Sequence, residues 1–71
     1  IKASFVLTEF NGQIYISARS IDEVNVQIIM ERLGGGGHMS VAGAQLKDMT
    51  VEEAVNRLKD TITEMESKKD I

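Results

Sequence analysis

Apolar and β-branched residues alternate with polar ones over two stretches near the start of the chain, residues 1–10 and 13–20. Alternation of this kind predicts two strands, each with one face turned toward a core. Asn11-Gly12 lies between them and is the strongest short signal for a two-residue hairpin turn. Such a turn fixes the register. The predicted pairs are Leu7 with Ile16, Phe5 with Ala18, Val6 with Ser17 and Ser4 with Arg19.

The second predicted strand divides its side chains into an apolar and a polar column. The column expected in the core is Ile14, Ile16 and Ala18. The opposite column is Tyr15, Ser17 and Arg19. A polar column is either an ordinary solvated sheet face or part of a binding surface, and the pattern leaves both interpretations open.

A first helix is predicted over about 21–33, because Ser20 followed by Glu23 has the spacing of a capping box. Apolar positions cover most of its circumference, so we expect part of this helix to contact another domain or subunit. Asn25 lies among these apolar positions. Its amide is either a satisfied core group or a brace for the glycine-rich segment that follows.

A second helix is predicted after Thr50, which forms a second capping box with Glu53. Its apolar residues make one stripe, so this helix packs by a single face. The stripe consists of Val51, Ala54, Val55, Leu58, Ile62 and Met65. Residues 66–71 are charged and lack the stripe, so we expect them to fray.

Four consecutive glycines and a histidine, residues 34–38, separate the two helices. One glycine suffices to end a helix with a positive φ. The others indicate a backbone that approaches another group closely, or N–H groups that form an anion site. A flexible linker or a cloning scar is the alternative. The small residues Ser40, Ala42, Gly43 and Ala44 predict a tight helical turn before a short strand over residues 45–47.

These elements predict an α/β (α+β) fold in the order β-β-α-glycine loop-β-α, with a small mixed sheet of about three strands and two main helices. The 71 residues suffice for one small domain. The absence of cysteine excludes a thiolate zinc site and fits a reducing cytosol, the expected location. No apolar run approaches the length of a membrane span in this segment, although neighbouring segments are left open.

The net charge and the spacing of the motifs exclude several classes of binding site. A net charge of −3 argues against binding of nucleic acid through an extended positively charged surface, but not against a small anion site. The glycine run lacks the Lys-Ser/Thr of a P-loop and does not follow a strand, so the Walker and Rossmann fingerprints do not apply. His38 is either structural or a group that donates to a phosphate oxygen or transfers a proton. The carboxylates fall at helix starts and turns, and no catalytic pair of acids is evident.

The motifs of this chain resemble the DHH-associated domain, the C-terminal substrate-binding half of DHH-type phosphoesterases. The resemblance rests on Arg19-Ser20 at a strand end, a helix, residues 34–38 and then Ala42-Gly43-Ala44. Within that family, Ile16-Ser17-Ala18-Arg19-Ser20 and Asn25-Val26 are similar to cyclic-di-AMP phosphodiesterases of the GdpP type. The resemblance covers nearly the whole chain.

The resemblance implies that residues 1–71 are a substrate-binding domain, truncated at its N-terminal side, of a phosphodiesterase that hydrolyses cyclic-di-AMP or short oligonucleotides. It implies a manganese centre in the preceding DHH domain, whose motifs are not found here, so the fragment alone should be inert. The implied partners are the nucleotide and the DHH domain, and the apolar coverage of the first helix adds a second copy of the chain as a candidate partner. The implied phosphate-binding residues are Arg19, Ser20, Gly34, Gly35, Gly36, Gly37 and His38, supported by Ser17 and Asn25.

Two alternatives remain at this point: an oligomerisation module, as in the similar C-terminal domain of alanyl-tRNA synthetases, and a single-stranded nucleic-acid-binding domain. Val26→Glu or Met30→Glu should break a dimer formed through the first helix. For the binding site itself, Arg19 and His38 should converge on one phosphate, and Gly36→Val should damage the loop.

Overall fold

The computed structural model describes residues 2–21 and 24–68. Its elements are β1 (Ala3–Phe10), β2 (Gln13–Ser20), α1 (Val26–Arg32), β3 (Gly36–Gly37), β4 (Val41–Lys47) and α2 (Val51–Ser67). The strands form one antiparallel sheet in the order β1-β2-β4-β3. The predicted fold class is confirmed, but the described sheet is antiparallel and not mixed, because each pair of neighbouring strands runs in opposite directions. The sheet gains a fourth strand because Gly36–Gly37, predicted to be loop, pairs with β4.

The first hairpin has the predicted register in every pair. Asn11 and Gly12 have φ angles of 53° and 74°, as a two-residue turn with two left-handed positions requires. β4 continues the pattern on the other side of β2, since Ala42, Ala44 and Leu46 lie opposite the buried residues of β2. One face of the sheet is therefore continuously apolar.

Both helices cover this apolar face. The core joins buried residues of the sheet to those of the helices: Ile14, Ile16, Ala18, Ala42, Ala44, Leu46, Val26, Ile29, Met30, Leu33, Ala54, Leu58 and Met65. We call the other side of the sheet the open face. It consists of Ser4, Val6, Thr8, Phe10, Gln13, Tyr15, Ser17, Arg19, Val41, Gly43, Gln45 and Lys47, with Gly36 on β3.

α1 begins at Val26, five residues later than predicted. Asn25 is the N-cap, and its Oδ1 accepts hydrogen bonds from the N–H groups of Gln27 (3.0 Å) and Ile28 (3.4 Å). The predicted start at Ile21 is wrong because the Ile21 N–H donates to the Lys2 carbonyl at 3.0 Å and so extends the sheet pairing. Glu23, the other half of the predicted capping box, lies outside the described residues.

The apolar residues of α1 are used within the domain. Val26 and Met30 are completely buried between the sheet and α2, so the expectation that they face another subunit is wrong. A glutamate at either position would place an unpaired charge in the core. The two substitutions therefore test folding and do not test dimerisation.

α2 has the predicted capping box, with Glu53 N–H donating to Thr50 Oγ1 and Thr50 N–H donating to Glu53 Oε1. The helix extends through Glu66 and Ser67, which were expected to fray. Residues 69–71 of that predicted tail lie outside the described residues. In the described part of the chain, neither helix has the length and apolar character needed to cross a bilayer.

An exposed ion-pair cluster joins the two helices. Glu64 on α2 accepts from Lys68 Nζ and from Arg32 NH1 of α1, each at 3.1 Å. These hydrogen bonds, that of Lys68 first, lower the pKa of Glu64 below its usual value. Solvent screens such exposed pairs, so the cluster contributes little to the stability of the fold.

Candidate substrate-binding site

The first two glycines of the run close α1. Gly34, at φ 86°, donates its N–H to the Glu31 carbonyl at 3.1 Å, and the Gly35 N–H donates to the Met30 carbonyl at 2.8 Å. These two bonds are those of a Schellman motif, in which a left-handed glycine satisfies the last helical carbonyls. The N–H groups of Gly34 and Gly35 are therefore already used, and the expectation that they point into an anion site is not met.

The glycines are also needed because this segment lies directly against β4. A Cβ atom at Gly35 would lie 2.6 Å from Ala44 Cα, and one at Gly37 would lie 2.6 Å from Ala42 Cα. Gly37 also has φ 143°. The small residues of β4 have the matching role: Val41–Lys47 is a strand throughout, and the predicted helical turn is wrong because alternate side chains of this segment enter the core.

Gly36 differs from its neighbours, because a Cβ there would meet nothing within 4 Å and its φ lies outside the left-handed region. The expectation that Gly36→Val damages the loop by resisting a positive φ and blocking a close approach is therefore wrong at this position, and the close approach to β4 occurs at Gly35 and Gly37. Antiparallel pairs alternate between bonded and non-bonded. Since the His38 N–H donates to the Val41 carbonyl at 2.7 Å, Gly37 is a non-bonded position, and its N–H points to the edge of the sheet.

Arg19 and His38 lie in one row across the open face. Arg19 pairs with Ser4 on one side and with Val41 on the other. The bond from His38 to Val41 continues the β3–β4 register by one residue, so His38 follows Val41 in the same row. The Arg19 and His38 backbones are two strand spacings apart, roughly 10 Å, and both side chains are exposed. The space above Val41 is within reach of both.

A cleft of about 330 Å³ surrounds Arg19 on the open face. We call it the arginine cleft; it is lined by Ser4, Val6, Ser17, Ala18, Arg19, Val41 and Ala42. Val6 and Val41 are 58% and 49% exposed, so apolar side chains flank the guanidinium. A cation bordered by apolar surface suits an anion that carries an organic group.

Backbone hydrogen bonds hold the segment after His38 at two points. The Ser20 N–H donates to the Ser40 carbonyl at 2.8 Å, and the Val26 N–H donates to the Met39 carbonyl at 3.0 Å. The register places the Ser20 side chain on the helix-covered face, opposite to Arg19, while Ser17 lies on the open face as expected. Asn25 contributes indirectly, because it caps the helix whose first N–H holds Met39.

A second depression of about 450 Å³ adjoins the arginine cleft. We call it the glycine groove; its lining includes Tyr15, Ser17, Gly34, Gly35, Gly43 and Gln45. The Tyr15 hydroxyl donates to Gln13 Oε1 at 2.9 Å, and Gln45 Nε2 donates to the same oxygen. Our sequence reasoning missed Gln45, which becomes visible only when β4 is placed in register with β2.

The described residues do not supply a metal centre of their own. Within 2–21 and 24–68, no three His, Asp or Glu side chains are grouped as a cation would require. The chain has one histidine and no cysteine. The described residues therefore do not form a manganese site by themselves.

A family model described as the DHHA1 domain matches residues 1–68. The chain belongs to the DHHA1 domain family. The DHHA1 match includes the whole sheet and both helices, so it covers the arginine cleft and the glycine groove together.

Relatives of this DHHA1 domain include two cyclic-di-AMP phosphodiesterases. GdpP of Geobacillus thermodenitrificans is 56% identical over 63 residues, 87% of this chain and 10% of its own length. PdeA of Listeria monocytogenes is 56% identical over 59 residues, 82% of this chain and 9% of its own. The chain thus spans about a tenth of these relatives. A pGpG-specific phosphodiesterase, PggH of Vibrio cholerae, shares the fold, with TM-score 0.68, 22% identity and coverage of 93% of this chain and 24% of that one.

Proposed function

We propose that this DHHA1 domain binds the phosphate of a nucleotide through Arg19 and His38 as part of a DHH-type phosphodiesterase that acts on cyclic-di-AMP or short oligonucleotides. The observation that carries the proposal is the row formed by Ser4, Arg19, Val41 and His38 on the open face. The names of the relatives GdpP and PdeA support cyclic-di-AMP as the first substrate to test.

The two side chains have different parts in this binding. Arg19 supplies a permanent charge and two donors in one plane, which match two oxygens of a phosphate. His38 supplies a ring N–H from the other side of Val41 and is held by its own backbone bond to Val41. The manganese that activates water belongs, in this proposal, to another domain of the parent protein.

Substitution of the two side chains tests the proposal. Arg19→Ala and His38→Ala should each weaken cyclic-di-AMP capture by a full-length phosphodiesterase containing this domain by about 1.5–3 kcal/mol, the value of a lost charge-assisted hydrogen bond. The loss is measured in kcat/KM, and thermal unfolding checks that the fold is intact.

Arg57→Ala is the matched control, because Arg57 is an exposed arginine on α2, away from the open face. It should leave kcat/KM unchanged. If Arg19→Ala and His38→Ala behave like Arg57→Ala, the phosphate does not bind in this row.

A further inference from the structure

We propose that the glycine groove is a base-binding subsite, which takes the nucleobase of the nucleotide whose phosphate lies at Arg19 and His38. The inference rests on the proposed function and adds the part of the binding site that contacts the base. The arginine cleft and the glycine groove share Ser17 as a common wall. The two depressions are therefore neighbours along β2.

The spacing along β2 fits a nucleotide. Arg19, Ser17 and Tyr15 are alternate residues of one strand on one face, so Ser17 lies about 7 Å and Tyr15 about 13 Å from Arg19. In a 5′-nucleotide one ribose separates phosphate from base. With the phosphate at Arg19 and the ribose over Ser17, the base lies beside the Tyr15 ring.

The walls of the groove suit a flat aromatic ring. Gly43 and the Gly34–Gly35 segment offer backbone without side chains, so a planar group approaches the sheet closely. The Tyr15 ring is 40% exposed, and its hydroxyl is anchored on Gln13. The ring is thus held in place with its polar atom satisfied, which leaves its face to pack against a base.

Gln45 adds an amide to the polar lining of the groove. Its Nε2 donates one N–H to Gln13 Oε1, and an amide nitrogen carries a second N–H, while the amide oxygen accepts hydrogen bonds. The second N–H and the Oε1 of Gln45 therefore both offer hydrogen bonds to the edge of a base.

The test titrates the chain with AMP, IMP and ribose 5-phosphate and follows backbone amide shifts by NMR. AMP should bind roughly 5- to 150-fold tighter than ribose 5-phosphate, the range for packing a base on an aromatic side chain. Tyr15→Leu should remove that advantage without changing the affinity for ribose 5-phosphate. Gln45→Leu should weaken the binding of AMP and of IMP by roughly 3- to 10-fold each, as one lost neutral hydrogen bond predicts, and should leave the affinity for ribose 5-phosphate unchanged.

Phe10→Leu is the matched control, since Phe10 is an exposed ring of the same face that lines neither depression. It should leave all three affinities unchanged. Equal affinities for AMP and ribose 5-phosphate, or a Tyr15→Leu variant that behaves like Phe10→Leu, would overturn the base subsite while leaving phosphate binding intact. Arg19→Ala should weaken AMP and ribose 5-phosphate alike. If it weakens neither, or if no probe shifts any amide of the open face, the proposed function fails and this inference fails with it.

Discussion

Three of the four glycines between α1 and β4 have a physical reason to lack a side chain and Gly36 has none, and this predicts a graded response to alanine. Gly35→Ala and Gly37→Ala should lower the free energy of unfolding by about 1–3 kcal/mol, because the new Cβ meets β4 backbone. Gly34→Ala should cost about 1–2 kcal/mol through its left-handed φ alone. Gly36→Ala should stay within about 0.5 kcal/mol of the parent.

Urea unfolding of the four variants measures the series, and Gly36→Ala serves as its internal control. The residues are adjacent and the substitution is the same, so differences come from φ and from the space beside β4. A Gly36→Ala variant as unstable as Gly35→Ala would contradict the close approach between the glycine segment and β4.

Among single residues, those that local sequence could identify were the members of the β2 columns. Arg19 and Ser17 follow from strand alternation and the Asn11-Gly12 turn, both of which act over a few residues. Local sequence could not identify Gln45, because its place beside Tyr15 depends on how β4 pairs with β2. That contact spans about 30 residues, and no local pattern fixes it. Local sequence also could not show why individual glycines are needed, because that depends on their contact with β4.

At the level of secondary structure, the position of His38 depends on where α1 begins. Asn25 caps the helix, and the first helical N–H holds the Met39 carbonyl next to His38. Asn25→Ala should lower the free energy of unfolding by about 1 kcal/mol, the usual value of a lost N-cap. Denaturant unfolding measures it.

Asn25→Asp is the matched control, because a carboxylate accepts the same two N–H groups. It should retain the stability of the parent. Equal losses for the alanine and aspartate variants would mean that the Asn25 side chain stabilises the chain by some means other than capping.

The two predicted capping boxes had different outcomes, and the difference lies in long-range pairing. The box at Thr50 formed, because nothing outside the helix competes for its N–H groups. The helix predicted from Ser20 begins later, because Ser20 and Ile21 donate instead to Ser40 and Lys2 and remain in the sheet. Sequence spacing finds a candidate cap, but sheet pairing from distant residues decides whether the helix starts there.

At the scale of the whole molecule, the two faces of the sheet have separate tasks. Both helices and the buried apolar residues are on one face, which forms the core. The open face carries Arg19, the two depressions and exposed rings such as Phe10 and Tyr15. A domain that keeps binding groups on an uncovered sheet face can hold a substrate against a second domain, which supplies the chemistry.

The proposed division of roles between domains predicts that the chain alone does not hydrolyse cyclic-di-AMP. Metal-assisted hydrolysis of a phosphodiester needs a cluster of ligands to hold the ion and activate water, and the described residues offer no such group of His, Asp or Glu side chains. The purified chain, incubated with manganese and cyclic-di-AMP, should therefore release no product by liquid chromatography. Full-length GdpP of Geobacillus thermodenitrificans, a cyclic-di-AMP phosphodiesterase by name, is the positive control in the same buffer. If turnover follows the chain through successive purification steps and disappears in an Arg19→Ala variant, catalytic groups lie in this domain. The proposal that another domain supplies the chemistry would then be wrong.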